Sequence, residues 1–109
     1  MRFFRDVRIY LCTEPTDMRK QINGLSIVVR EGLQRNPGSG EMFVFRNRRG
    51  DMLRILFFDS QGFCLLTKRL EKGTFVVDLS EAAERTSVEL TKGQLGVLLQ
   101  GLKLRWHRN

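Results

Sequence analysis

The residues of this sequence whose types and spacing can do chemistry are mostly basic. Arg46, Arg48 and Arg49 fall within four positions, in Phe43-Val-Phe-Arg-Asn-Arg-Arg-Gly50-Asp51. Gly50 offers the positive φ of a tight turn between two apolar runs, so the arginines are placed at a hairpin tip. Guanidiniums on a protruding ribbon suit phosphate oxygens, because each presents a planar fork of donors. A two-stranded ribbon can also enter a major groove. Lys68, Arg69 and Lys72 form a second cluster, and Arg19 with Lys20 a third. The competing reading is ordinary: Arg and Lys solubilise hairpins and protect sheet edges.

Other chemistries find less support. A nucleophile–base pair would most naturally use histidine, and the sole one, His107, stands among the last three residues. Gly38-Ser-Gly40 lacks the Lys-Ser/Thr of a phosphate-binding loop. Asp17, Asp59 and Asp78 are the carboxylates to nominate for metal-dependent phosphoryl transfer, which needs two or three converging on the ions. Asp17 is equally explained as charge at a helix start, and Asp59 as a turn residue. Cys12 and Cys64 are the only cysteines. They lie far apart in apolar stretches without a neighbouring ligand, so they read as buried reduced thiols and not as a zinc site. Neither a metal nor a cofactor is expected.

Taken whole, 109 residues suit one domain, 1–109. Composition, with 41% apolar and 28% charged residues, is that of a globular chain. Nineteen basic against twelve acidic residues leave a net charge of +7, which favours polyanionic partners, nucleic acid before membrane. No apolar run approaches the roughly 20 residues of a membrane span. The start, Met1-Arg-Phe-Phe-Arg-Asp6, is unlike a secretory signal, so a cytoplasmic protein is expected.

The elements that must position these residues follow from periodicity. Val7–Cys12 reads as a strand entering the core. After Pro15, Thr16 can cap a helix running from about Asp17 to Gln34, with Met18, Ile22, Leu25, Val29 and Leu33 on one stripe. Gly24 interrupts it, which suggests a close approach. Glu41–Phe45, Met52–Phe58, Phe63–Leu70 and Thr74–Val77 then read as a four-strand antiparallel meander. Thr91-Lys-Gly-Gln94 matches a capping box opening a second helix, with Leu95, Leu98, Leu99 and Leu102 on its apolar side. Lys103–Asn109 is a basic tail, read as a candidate for disorder.

Three blocks resemble a known family: Thr16-Asp-Met-Arg-Lys20 with Gly24-Leu25; Ser39 through Asp51, continuing through Ile55-Leu56, Asp59, Gly62, Cys64-Leu65 and Lys68–Glu71 to Gly73 and Phe75; and Leu90, Gln94-Leu95, Leu98-Leu99 and Gly101. The chain is similar to the TnpB-type accessory protein, product of the second open reading frame, of the insertion-sequence family numbered sixty-six. Gln21 departs from the family's usual glycine, and Phe57-Phe58 from a commonly tryptophan pair. The resemblance implies a bacterial mobile-element setting beside a larger transposase that cuts the strands.

Together these readings predict an α+β domain: an antiparallel meander sheet of four to six strands, one long N-terminal helix and a shorter C-terminal helix. The function expected is that of a non-enzymatic accessory factor for DNA transposition. It would bind DNA through Arg46, Arg48, Arg49, Lys68, Arg69 and Lys72, extended by Arg19 and Lys20. The alternative is a protein–protein adaptor that docks the transposase or forms a homo-oligomer through a free sheet edge. No membrane partner is expected.

Overall fold

A computed structural model describes residues 6–108. Met1–Arg5, most of the start read as unlike a secretory signal, and Asn109 lie outside the described residues. Along the chain run β1 (Ile9–Cys12), α1 (Ile22–Ile27), β2 (Met42–Arg46), β3 (Met52–Asp59), β4 (Gly62–Arg69), β5 (Val77–Asp78), β6 (Ser87–Leu90), α2 (Lys92–Leu99) and β7 (Leu104–Arg105). Five strands form one sheet in the order β4-β3-β2-β1-β6, and β5 and β7 form a separate parallel pair.

The sheet is mixed, which corrects the expected all-antiparallel meander. β2, β3 and β4 are joined by two antiparallel hairpins. β1, however, inserts beside β2 in parallel, with Tyr10 opposite Phe43, and β6 closes the edge antiparallel to β1. Parallel neighbours need a long crossover, and residues 13–41, carrying α1, supply it. The fourth meander strand is also absent: past Gly73 the chain leaves β4, Phe75 N–H donates to Gly50 O (2.7 Å), and Val77–Asp78 pairs with β7 instead.

The long N-terminal helix is a second correction. Asp17 to Lys20 form a turn, in which Asp17 Oδ1 accepts Arg19 N–H (2.9 Å) and Asp17 O accepts Lys20 N–H (3.1 Å). That side-chain bond offers the backbone an alternative to the helix, and helical geometry starts only at Ile22, after an extended Gln21. From Val28 to Gly32 the helix widens to a π turn, ending where Leu33 N–H reaches Val28 O (3.0 Å). The apolar stripe survives the shortening, since Leu25, Val29 and Leu33 are all buried. Gly24 has a local reason: a Cβ there would stand 3.0 Å from Lys20 Cβ.

Alternation along the strands divides the core between two faces. Ile9, Leu11, Met42, Val44, Leu53, Ile55 and Phe57 point to one face, where Phe75, Ala82, Leu95, Leu98, Leu104 and Trp106 cover them. Tyr10, Cys12, Phe43, Phe45 and Leu56 point to the other, under Leu25, Val29 and Leu33. Phe43 and Phe45 are fully buried, each stabilising the fold by about 1.5–3 kcal/mol. The segment read as a basic tail contributes β7 and the buried Trp106, whose indole N–H donates to Glu89 O (3.0 Å). Among the described residues no helix is long and apolar enough to cross a membrane.

Candidate nucleic-acid interface

The hairpin between β2 and β3 is a tightly bonded turn. Asn47 Nδ2 donates to the Asp51 carboxylate (2.6 Å) while its Oδ1 accepts Met52 N–H (3.0 Å), and Gly50 N–H closes on Asn47 O (3.1 Å). The Asn47 bond holds the Asp51 carboxyl below its ordinary range, helped by Arg49. Gly50 sits at φ +80°, and a Cβ there would stand 3.3 Å from Thr74 Cβ. Leu70 N–H donates to Asp51 O (2.8 Å), and Phe75 N–H to Gly50 O, so the chain after β4 braces the turn. Arg48 and Arg49 project from this braced turn into solvent; the Arg49 guanidinium is 3.9 Å from Asp51, a long separation for an 85% exposed side chain.

Arg46 does not stand at the tip. It ends β2, where its Nη2 donates to Thr13 O (3.0 Å) and its own carbonyl accepts Thr16 N–H (2.8 Å). Its Nε is enclosed without a partner, and burial pushes its pKa down. This arginine ties the crossover to the sheet.

The register brings the second cluster to the same end of the sheet, with Met52 opposite Arg69 and Leu53 opposite Lys68. Consecutive strand residues point to opposite faces, so the two cations separate. Lys68 lies on the α2 side, its Nζ donating to Leu99 O at the C-terminal end of α2 (2.6 Å), where a cation meets the negative end of the helix dipole. Arg69 lies on the α1 side, and Lys72 is exposed in the turn beyond β4.

In the third cluster, Arg19 is bound to the Asp17 carboxylate through Nε and Nη2 (2.7–3.1 Å), which holds the Asp17 pKa at about 2. Lys20 is exposed, and its carbonyl accepts Arg54 Nη1 (2.8 Å). The structure thus gathers Arg48, Arg49, Arg69 and Lys72 at one end of the sheet. It sets Lys20 beside β3, and occupies Arg46, Lys68 and Arg19 with internal bonds.

Arg54 is the residue that sequence reasoning passed over. It is the one charge between Met52 and Phe58 in a strand otherwise apolar, and that isolation was the available signal. With Thr67 opposite it, it lines an open cleft of about 610 Å³ together with Gln21, Ile22, Asn23 and Leu65.

The carboxylates nominated for metal chemistry do not converge. Thr16, adjacent to Asp17, bonds Arg46 opposite Leu53, whereas Asp59 ends β3 six residues further on, about 20 Å along the strand. Asp78 is engaged by Ser80 N–H (3.0 Å) and Arg105 (3.4 Å). Among the described residues no group of three or more His, Cys, Asp or Glu is arranged to hold a metal ion. Cys12 and Cys64 are free thiols packed on opposite faces of the sheet. Burial pushes the Cys12 pKa up. His107 Nδ1 lies 2.7 Å from Glu81.

No solved structure matches the chain. Two proteins of Sinorhizobium fredii (strain NBRC 101917 / NGR234) do. The uncharacterized protein y4hO is 41% identical over 101 residues, covering 93% of this chain and 85% of that protein. The uncharacterized protein y4jC is 43% identical over 72 residues, covering 66% of this chain and 62% of that protein. The family model described as IS66 Orf2 like protein matches residues 7–109, spanning the sheet, both helices and the basic end together. The chain belongs to the IS66 Orf2 like protein family.

Proposed function

We propose that this protein is a non-enzymatic accessory factor in the transposition of an insertion sequence, and that it binds DNA at the basic end of the sheet. Family membership ties the chain to transposition in an accessory role. The observation that carries the DNA reading is the braced turn presenting Arg48 and Arg49 to solvent, with Arg69 and Lys72 beside it. A rigid turn loses little conformational freedom when its guanidiniums meet phosphate, and phosphate pairing dominates the affinity of such interfaces.

Fluorescence anisotropy with terminal inverted-repeat DNA tests this reading. Replacing Arg48 and Arg49 together by Ala is expected to weaken binding and to reduce the slope of log affinity against log salt by about 0.9 for each phosphate no longer neutralised. Stability should move by no more than about 0.5 kcal/mol, since both side chains are exposed. Unchanged affinity and slope would count against DNA binding. Arg46→Ala is the wrong probe, because it also removes the bond to Thr13.

One observation favours a second reading, the protein–protein adaptor. Among the described residues β4 is an eight-residue edge strand paired only with β3, and Leu66 on it is 52% exposed. Such an edge can add a strand from the transposase or from a second copy. A pull-down from nuclease-treated extract separates the readings, because an adaptor keeps its partner without DNA.

A further inference from the structure

We propose that the cleft between β3, β4 and the start of α1 is a phosphate-binding subsite anchored by Arg54, and that it takes a phosphodiester of the nucleic-acid backbone. The inference rests on the DNA reading above and adds an anchor on the α1 face, away from the hairpin tip.

Several arginines elsewhere in the molecule are matched by a carboxylate. Arg8 pairs with Glu89 at 2.9 Å, Arg19 with Asp17 at 2.7 Å, Arg35 with Glu41 at 3.1 Å and Arg105 with Asp78 at 3.4 Å. Arg54 is half-buried between Phe45 and Thr67 on a core strand, yet among the described residues no carboxylate meets it. Its Nη1 donates to Lys20 O, and its Nε is enclosed with no acceptor. An enclosed N–H without an acceptor is costly to leave unsatisfied, and it marks this guanidinium as only partly engaged by the protein. An anion entering from solvent supplies the missing charge.

The cleft is built for that anion. Its lining contains the amides of Gln21 and Asn23, the hydroxyl of Thr67 and the guanidinium, and no acidic side chain. All four groups can donate hydrogen bonds to phosphate oxygens. The bond to Lys20 O fixes the guanidinium plane before the ligand arrives, which suits the bidentate geometry of arginine on phosphate. The cleft is open, and Arg69 stands on the same face two residues beyond Thr67, beside the hairpin. A backbone seated on Arg54 can therefore continue past Arg69 to Arg48 and Arg49, whereas a free phosphate ion would use the cleft alone.

Anisotropy with fluorescent duplex DNA across a salt series tests the assignment. Arg54→Gln is expected to weaken binding about fivefold or more and to lower the salt slope by about 0.9. Arg54→Lys should restore the slope without restoring the affinity, because lysine keeps the charge and loses the fork. Thr67→Val, at an exposed position, should weaken binding severalfold at unchanged slope. This variant and Arg54→Lys keep the test decisive if Arg54→Gln does not fold, which circular dichroism reads. Wild-type binding in all three, with Arg48 and Arg49 to Ala still weakening it, overturns the cleft and leaves the DNA reading standing. No effect from either set overturns both. Saturation of the Arg54 Nε–H resonance by submillimolar inorganic phosphate, with DNA affinity untouched in Arg54→Gln, overturns the phosphodiester in favour of the free ion.

Discussion

The two faces of the sheet are covered in different ways. On the α2 face, four separate segments converge: Phe75, Ala82, the pair Leu95 and Leu98 from α2, and Leu104 with Trp106. On the α1 face, one short helix with its π turn covers a smaller set of side chains. Charge approaches the core there: the Arg35 guanidinium lies 3.9 Å from the centre of the Tyr10 ring, and Arg54 interrupts β3. The α2 face buries the larger set of apolar side chains, and the α1 face buries the smaller set beside Arg54.

The most direct challenge to this contrast removes the largest cover. Trp106→Ala is expected to cost about 3–5 kcal/mol, a large part of the roughly 5–15 kcal/mol that holds a typical domain together. Urea unfolding followed by circular dichroism measures it. Leu25→Ala, at a fully buried position under the α1 face, should cost about 2–5 kcal/mol and fall below Trp106→Ala. If Leu25→Ala proves the more damaging, the face with the larger apolar cluster is not the stronger one.

Smaller effects refine the comparison. Thr91 accepts Gln94 N–H on its hydroxyl (3.0 Å), and Gln94 Oε1 accepts Thr91 N–H (2.8 Å), a complete capping box at the start of α2. Thr91→Ala should cost about 1 kcal/mol and leave DNA affinity unchanged, since α2 lies on the face away from Arg54. The smallest effect concerns acid. Asp17 has a folded pKa of about 2 against an ordinary 3.8, because Arg19 donates to its carboxylate. A carboxylate depressed in the folded state stabilises above its unfolded pKa and loses that contribution as pH falls through the folded value. The contribution of Asp17 should therefore be intact above about pH 4 and fade toward pH 2, which an NMR titration of its carboxyl carbon reads directly.

Sequence disclosed the features set by neighbouring residues. The turns at Gly50 and Gly62 and the alternation between them foretold the β2-β3-β4 hairpins, and Thr91 with Gln94 foretold the start of α2. Hidden were one local competition and the features decided by distant parts of the chain. Asp17 looked like helix-start charge, but its bonds to Arg19 stop the helix from beginning there. β1 showed only an apolar run, and nothing in such a run says whether its neighbour will be parallel; the crossover through α1 decides it. The site shows the same division. Clustering located the basic end, but only the register shows that Lys68 and Arg69 face apart, and only the path of residues 13–16 shows that Arg46 is occupied.

Trp106 is the sole tryptophan of the chain. Its ring is buried, its indole N–H is bonded to Glu89 O, and the Arg85 guanidinium lies 5.2 Å from the ring centre. The molecule therefore carries one intrinsic indole fluorophore, seated where its C-terminal segment meets β6 on the α2 face. Its emission is a built-in gauge of whether that seam is closed, read without any label. Because the basic end and the cleft of Arg54 belong to other parts of the fold, two signals can be read in one titration: a labelled duplex tests whether DNA binds at all, and the tryptophan tests whether the α2 face responds.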